Sequence, residues 1–131
     1  MAEAGRRLVG VVDDDADIRM ISELALRRVG KLDVWLAASA AEAKARLEDP
    51  GTRLPDALLL DVTMPGEDGP TFLSALRADP RFAALPVVFL TARAGTRAEE
   101  ARLLDLGAQG VLSKPFDPMN LARELGALLG W

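Results

Sequence analysis

Five short apolar runs recur along the chain, at Leu8–Val12, Asp33–Ala37, Ala57–Leu60, Val87–Leu90 and Gly110–Leu112, and each is followed by a longer stretch with helical signals. No other feature limits the accessible folds so strongly. Runs this brief and this apolar read as strands covered on both faces, the condition of a parallel sheet. Parallel neighbours need crossover connections, which are right-handed and usually helical. The alternation therefore predicts an α/β fold: a (βα)5 doubly wound open sheet of five parallel strands with helices on both faces.

The intervening segments carry helix-start chemistry. The Asp14–Asp17 run supplies N-cap carboxylates for a first helix, with Ile18, Ile21, Ala25 and Val29 on its inner face and Gly30 closing it. Ser39-Ala40-Ala41-Glu42 and Thr96-Arg97-Ala98-Glu99 fit the capping box and open the second and fourth helices. Gly69-Pro70 and Asp117-Pro118 place proline where a first turn tolerates it, opening the third and fifth. Gly107 reads as the residue that closes the fourth helix, and Leu121, Leu125, Leu128 and Leu129 form the stripe of the fifth.

Composition removes whole classes of chemistry. The 131 residues contain no Cys and no His, which excludes disulfides, thiol nucleophiles, the usual zinc sites and any His-based triad. Sixteen Lys+Arg against 20 Asp+Glu give −4, a balance unsuited to reading nucleic acid by bulk charge. The longest apolar stretch falls far short of the roughly 20 residues that span a bilayer, and residues 1–7 read as a short polar N-terminal arm rather than a signal peptide. The expectation is one domain over residues 1–131, cytoplasmic, without membrane or direct nucleic-acid contact.

In open α/β sheets, sites form beyond the carboxyl ends of the strands. The first strand is followed by Asp13, Asp14 and Asp15, the third by Asp61, the fourth by Thr91 and the fifth by Ser113 and Lys114. If the first and third strands are neighbours, Asp13, Asp14 and Asp61 meet. Carboxylates that close repel unless something positive sits among them. The chain offers Lys114, one of only three lysines, and the oxygens suit a hard cation such as Mg²⁺. Helix capping is the bland alternative for Asp13–Asp15 and an ordinary turn for Asp61–Gly66, but their coincidence with Thr91 and Lys114 at neighbouring strand ends favours a shared ion and phosphate site.

The segments VVDDD, LLLDVTMPGEDG, FLTA and LSKPF occur in that order across residues 8–129, and on them the chain resembles the receiver domains of two-component response regulators. The resemblance implies the flavodoxin-like strand order 2-1-3-4-5, which the handedness rules alone leave open. It also implies that Asp61 is the phosphoacceptor, a carboxylate nucleophile forming an aspartyl phosphate. Asp13 and Asp14 would hold Mg²⁺, Asp14 directly and Asp13 largely through water, with Asp61 and the Thr63 main-chain carbonyl as further ligands. Lys114 and the Thr91 hydroxyl would contact phosphoryl oxygens, and the Lys114–Pro115 bond would be cis. Implied partners are a sensor histidine kinase or histidine phosphotransfer protein and a downstream protein bound by the fourth helix, fifth strand and fifth helix, with a phosphorylation-dependent dimer as a further form. No separate substrate is turned over.

Two positions depart from the pattern. Val111, three residues before Lys114, stands where many receivers carry Tyr or Phe, and the chain has no Tyr at all; its side chain reads as plain strand packing. Arg93, two beyond Thr91, occupies with Thr63 a place that in this family tunes water attack on the phosphoryl group. Two other functions compete. One is a Mg²⁺-dependent phosphohydrolase with an aspartate nucleophile, for which Asp13-x-Asp15 fits the motif but the chain leaves no room for a cap domain. The other is a receiver-shaped interaction module that is not phosphorylated in the cell.

Overall fold

The computed structural model describes residues 6–92 and 96–131. Its strands are β1 (Leu8–Val12), β2 (Asp33–Ala37), β3 (Ala57–Asp61), β4 (Val87–Thr91) and β5 (Gly110–Ser113). The helices are α1 (Ala16–Leu24), α2 (Ala40–Glu48), α3 (Gly69–Ala78), α4 (Arg97–Asp105) and α5 (Leu121–Leu129). The strands form one sheet in the order β2-β1-β3-β4-β5, and every pairing is parallel. The (βα)5 architecture and the 2-1-3-4-5 order are therefore those expected.

Strand alternation divides the core in two. Leu8, Val12, Trp35, Leu58, Leu60, Val87 and Phe89 face one side with residues of α2, α3 and α4, among them Ala43, Leu73 and Leu103. Val9, Val11, Val34, Leu59, Val88 and Leu90 face the other with Leu121 and Leu125 of α5 and with Ala25 and Leu26. Gly10 lets the Trp35 indole lie across β1: a Cβ there would come within 2.7 Å of that ring.

Asp15, Ser39, Asp68 and Thr96 cap α1 to α4, each side-chain oxygen accepting from main-chain N–H groups of the first turn. Gly107 follows the C-cap of α4 at φ +106°, a conformation that glycine adopts without a Cβ penalty.

Two helices differ from expectation. The chain leaves α1 through a π-helical segment, Ala25–Val29, and the buried residues are Ser22, Ala25 and Leu26, while Ile21 and Val29 are exposed. A polar Ser22 on the inner face and an i→i+5 turn both defeat a 3.6-residue apolar pattern. The fifth helix starts at Leu121, later than Asp117-Pro118. Asp117 instead closes a turn in which its carboxylate accepts from the Met119 amide at 2.9 Å and from Asn120 Nδ2 at 3.1 Å. Leu128, placed on the inner stripe, is partly exposed, although its methyls lie against Gly110.

Candidate functional site

Register brings the strand ends into one row. Val12 lies opposite both Ala37 and Leu60, Asp61 opposite Leu90, and Thr91 opposite Ser113. The residue after β1, Asp13, continues the ladder by donating its N–H to the Ala37 carbonyl at 3.1 Å. Strand order reverses between β1 and β3, where neighbouring connections diverge and open a crevice. Asp13, Asp14 and Asp61 converge there, each with a carboxylate oxygen within 4.8 Å of the others.

Burial makes this convergence costly. Asp13 is 1% and Asp61 5% exposed, while Asp14 stands at the open side. The Lys114 ammonium offsets part of the repulsion, lying 2.9 Å from Asp13 Oδ2 and 3.2 Å from Asp61 Oδ1. Burial, then the charge of Asp13, push the Asp61 carboxyl up to about 6, against the opposing pull of Lys114 and the Thr63 amide. Burial alone would lower the Lys114 ammonium, but contact with Asp13 and the charge of Asp61 turn the net shift upward.

The remaining groups hold the loops around this pocket. The Thr63 N–H donates to Asp61 Oδ1 at 3.3 Å. Lys114 N–H donates to the Thr91 carbonyl at 2.9 Å, joining the ends of β4 and β5, and the Lys114–Pro115 bond is cis. Thr91 is buried and lines an open groove of about 490 Å³ together with Thr63, Met64, Asp68, Glu99 and Arg102. Sequence reasoning read Glu99 only as part of a capping box and passed over Arg102, which lies in the last turn of α4 and carries no signal of its own in the sequence. Val111 is partly buried and packs against the apolar cluster, the plain strand role expected of it. Arg93 lies outside the described residues.

Gly69 shapes the pocket from below. Its N–H donates to the Val62 carbonyl at 2.9 Å, and a Cβ would overlap the Asp61 main-chain oxygen and press on Phe89 at 3.0 Å. Gly69→Ala should therefore displace the end of β3 and lower stability by about 1–3 kcal/mol, the usual cost of overpacking. Urea unfolding at constant m-value checks it.

The residues also fit a divalent cation. Three carboxylates supply hard oxygen donors, and among the described residues the buried Asp13 Oδ2 has only the Lys114 ammonium, 2.9 Å away, beside it, so an anionic oxygen with more than one lone pair keeps acceptor capacity. The acidic pocket suits Mg²⁺.

Fold and pocket together define a receiver-type signalling module. The chain belongs to the response regulator receiver domain family, whose model matches residues 9–125. It is 42% identical over 119 residues to "Response regulator Rre1" of Synechocystis, covering 91% of this chain and 50% of that protein, so it spans half the length of that relative. It is 34% identical to "Chemotaxis protein CheY1" of Helicobacter pylori, covering 92% of this chain and 94% of that one. Among solved structures, a putative response regulator from Chloroflexus aurantiacus superimposes with a TM-score of 0.83 at 35% identity, covering 96% of this chain and 99% of that one. Among the described residues, no helix is long and apolar enough to cross a membrane.

Proposed function

We propose that the chain accepts one phosphoryl group on Asp61 from a phosphohistidine of a sensor histidine kinase or phosphotransfer protein, and that the modified form binds a downstream protein. The observation that carries this reading is the buried Asp61 carboxylate, 3.2 Å from the Lys114 ammonium and in one pocket with Asp13 and Asp14. A carboxyl held at about 6 is mostly ionised at neutral pH and so nucleophilic. In the step, a P–O bond forms to an Asp61 oxygen as the P–N bond to the donor imidazole breaks, its electron pair returning to the nitrogen. Phosphoryl transfer needs charge neutralisation and alignment above all. Lys114 supplies one positive charge to the phosphoryl oxygens, and the Thr91 hydroxyl donates to another of them.

Asp13, Asp14, Asp61 and the Thr63 main-chain carbonyl are the groups that would hold Mg²⁺. Bound there, the ion would neutralise the carboxylates and the incoming phosphoryl oxygens. The output surface is read as α4, β5 and α5, which also serves a phosphorylation-dependent dimer. Within the chain we read one receiver domain over residues 1–131, with 1–7 as a polar arm, acting in the cytoplasm and turning over no separate substrate.

Acetyl phosphate with Mg²⁺, followed by intact-mass measurement, tests the reading. One phosphoryl group per chain is expected, and none when EDTA withholds the metal from the reaction. No uptake would favour an unphosphorylated interaction module. Multiple turnovers of an unrelated phosphate ester would favour a phosphohydrolase.

A further inference from the structure

Asp13 is unusually constrained. Its N–H donates to the Ala37 carbonyl at 3.1 Å, and its Oδ1 accepts from the Asp15 N–H at 2.9 Å. Its own main-chain carbonyl accepts from Arg19 Nη1 at 2.8 Å. The remaining oxygen, Oδ2, lies 2.9 Å from the Lys114 ammonium, in the same cluster as the Asp14 and Asp61 carboxylates. Three of the four polar groups of this residue are thus tied to the main chain or to Arg19, and the fourth lies at the acidic cluster beside Lys114.

Of these three tethers, the Arg19 bond is the only one supplied by a charged side chain. Arg19 is half-buried on the first turns of α1, and its N–H donates to the Asp15 carbonyl at 3.0 Å while Asp15 Oδ1 caps the helix through the Asp17 and Ile18 amides. The guanidinium therefore reaches back from a fixed helical turn across the connection it follows. The peptide it grips is the one between Asp13 and Asp14. Rotation of that peptide would swing the Asp14 carboxylate out of the cluster and release the Asp13 carbonyl to solvent.

We propose that Arg19 is a positioning residue, whose grip on the Asp13 carbonyl sets the bend between β1 and α1 that aims the Asp13 and Asp14 carboxylates together at a divalent cation. This rests on reading the acidic pocket as a Mg²⁺ site. Groups that orient metal ligands commonly change metal affinity by roughly 10–100-fold when removed.

The sign of the effect separates positioning from simple electrostatics. Deleting a cation near an acidic pocket should tighten Mg²⁺ binding if charge alone matters. Deleting a tether should weaken it. Arg77 provides the control for general loosening, since it makes the same kind of bond, to the Phe82 carbonyl at 3.3 Å and the Gly107 carbonyl at 2.9 Å, away from the pocket.

The test is a Mg²⁺ titration of the isotope-labelled chain, followed by the backbone amide shifts of residues 13–15, for wild type, Arg19→Met, Arg19→Lys and Arg77→Met. Arg19→Met is expected to weaken Mg²⁺ about tenfold or more and to move the Asp14 and Asp15 amide shifts before any metal is added. Arg19→Lys should recover part of the affinity, because an ammonium can still donate to the carbonyl. Arg77→Met should lose stability with its Mg²⁺ affinity intact. Unchanged or tighter binding by Arg19→Met, or equal weakening by Arg77→Met, would overturn the proposal. Failure of the wild-type chain to bind Mg²⁺ would overturn the reading of the pocket itself, and the two failures are distinguishable.

Discussion

Asp61→Asn is expected to abolish phosphoryl uptake from acetyl phosphate while leaving the chain folded and more stable than the wild type in the absence of divalent ions. The substitution keeps the shape of the side chain and removes the nucleophile, so intact mass should show no adduct. The stability gain follows from the pocket. Burial and the Asp13 charge raise the folded-state Asp61 carboxyl from 3.8 to about 6, so the native state binds more protons than the unfolded chain between those values. Stability from this group is greatest at low pH and is lost as pH rises through about 6. At pH 7 the wild type carries that strain in full and Asp61→Asn does not. The expected gain is on the order of 1 kcal/mol once solvent screening at the open strand ends is allowed for. Mg²⁺ should narrow the difference by stabilising the wild type in proportion to its binding. Urea unfolding at pH 5 and pH 7, with and without Mg²⁺, reads all of this, and a variant less stable than wild type at pH 7 without metal would contradict it.

Lys114→Ala should act in the opposite direction. The ammonium lies within 3.2 Å of both buried carboxylates, and its removal leaves Asp13 and Asp61 facing each other without a counter-charge. Breaking a buried pair in this way typically costs about 3–5 kcal/mol, and the partial exposure of the lysine argues for the lower end. Without that positive charge, the Asp61 carboxyl would rise further, so the destabilisation should be largest at neutral pH and shrink as the solution is acidified. Saturating Mg²⁺ should restore much of the loss. In an Asp61→Asn background the same lysine substitution should cost clearly less, and the double-mutant cycle gives the coupling directly. A cost independent of both pH and Mg²⁺ would mean that Lys114 contributes by packing alone.

Much of this arrangement could be read from the residues. The five strands lie where the apolar runs put them, most plainly β1, β3 and β4, which are buried along their whole length and so have no polar interruptions to blur their position. Asp13 and Lys114 follow their strands directly and Asp61 ends β3, so once the sheet is ordered their meeting is dictated by register. The order itself came from resemblance, since handedness rules alone permit others. Less legible were features in which helices break their own period. Buried Ser22 and the π-helical Ala25–Val29 moved the inner face of the first helix away from Ile21 and Val29. Asp117-Pro118 looked like the start of the fifth helix and proved to be a turn before it, in which the Asp117 carboxylate accepts from the Met119 amide and Asn120 Nδ2. Arg19 was invisible for a different reason: an arginine six residues after Asp13 resembles any solvated helix residue until the chain folds back on itself.

The two tryptophans sit apart from the strand-end crevice. Trp35 lies across Gly10 in the middle of β1 with the Arg46 guanidinium 5.6 Å from its ring centre, and Trp131 follows α5, under the Arg7 guanidinium at 4.7 Å. Intrinsic emission from this chain should thus report on whether the sheet and the last helix are assembled, and stay nearly silent when the crevice is loaded. Melting curves followed at that wavelength would then compare variants on an even footing, since quenching by bound metal or phosphate would not masquerade as a change in folding.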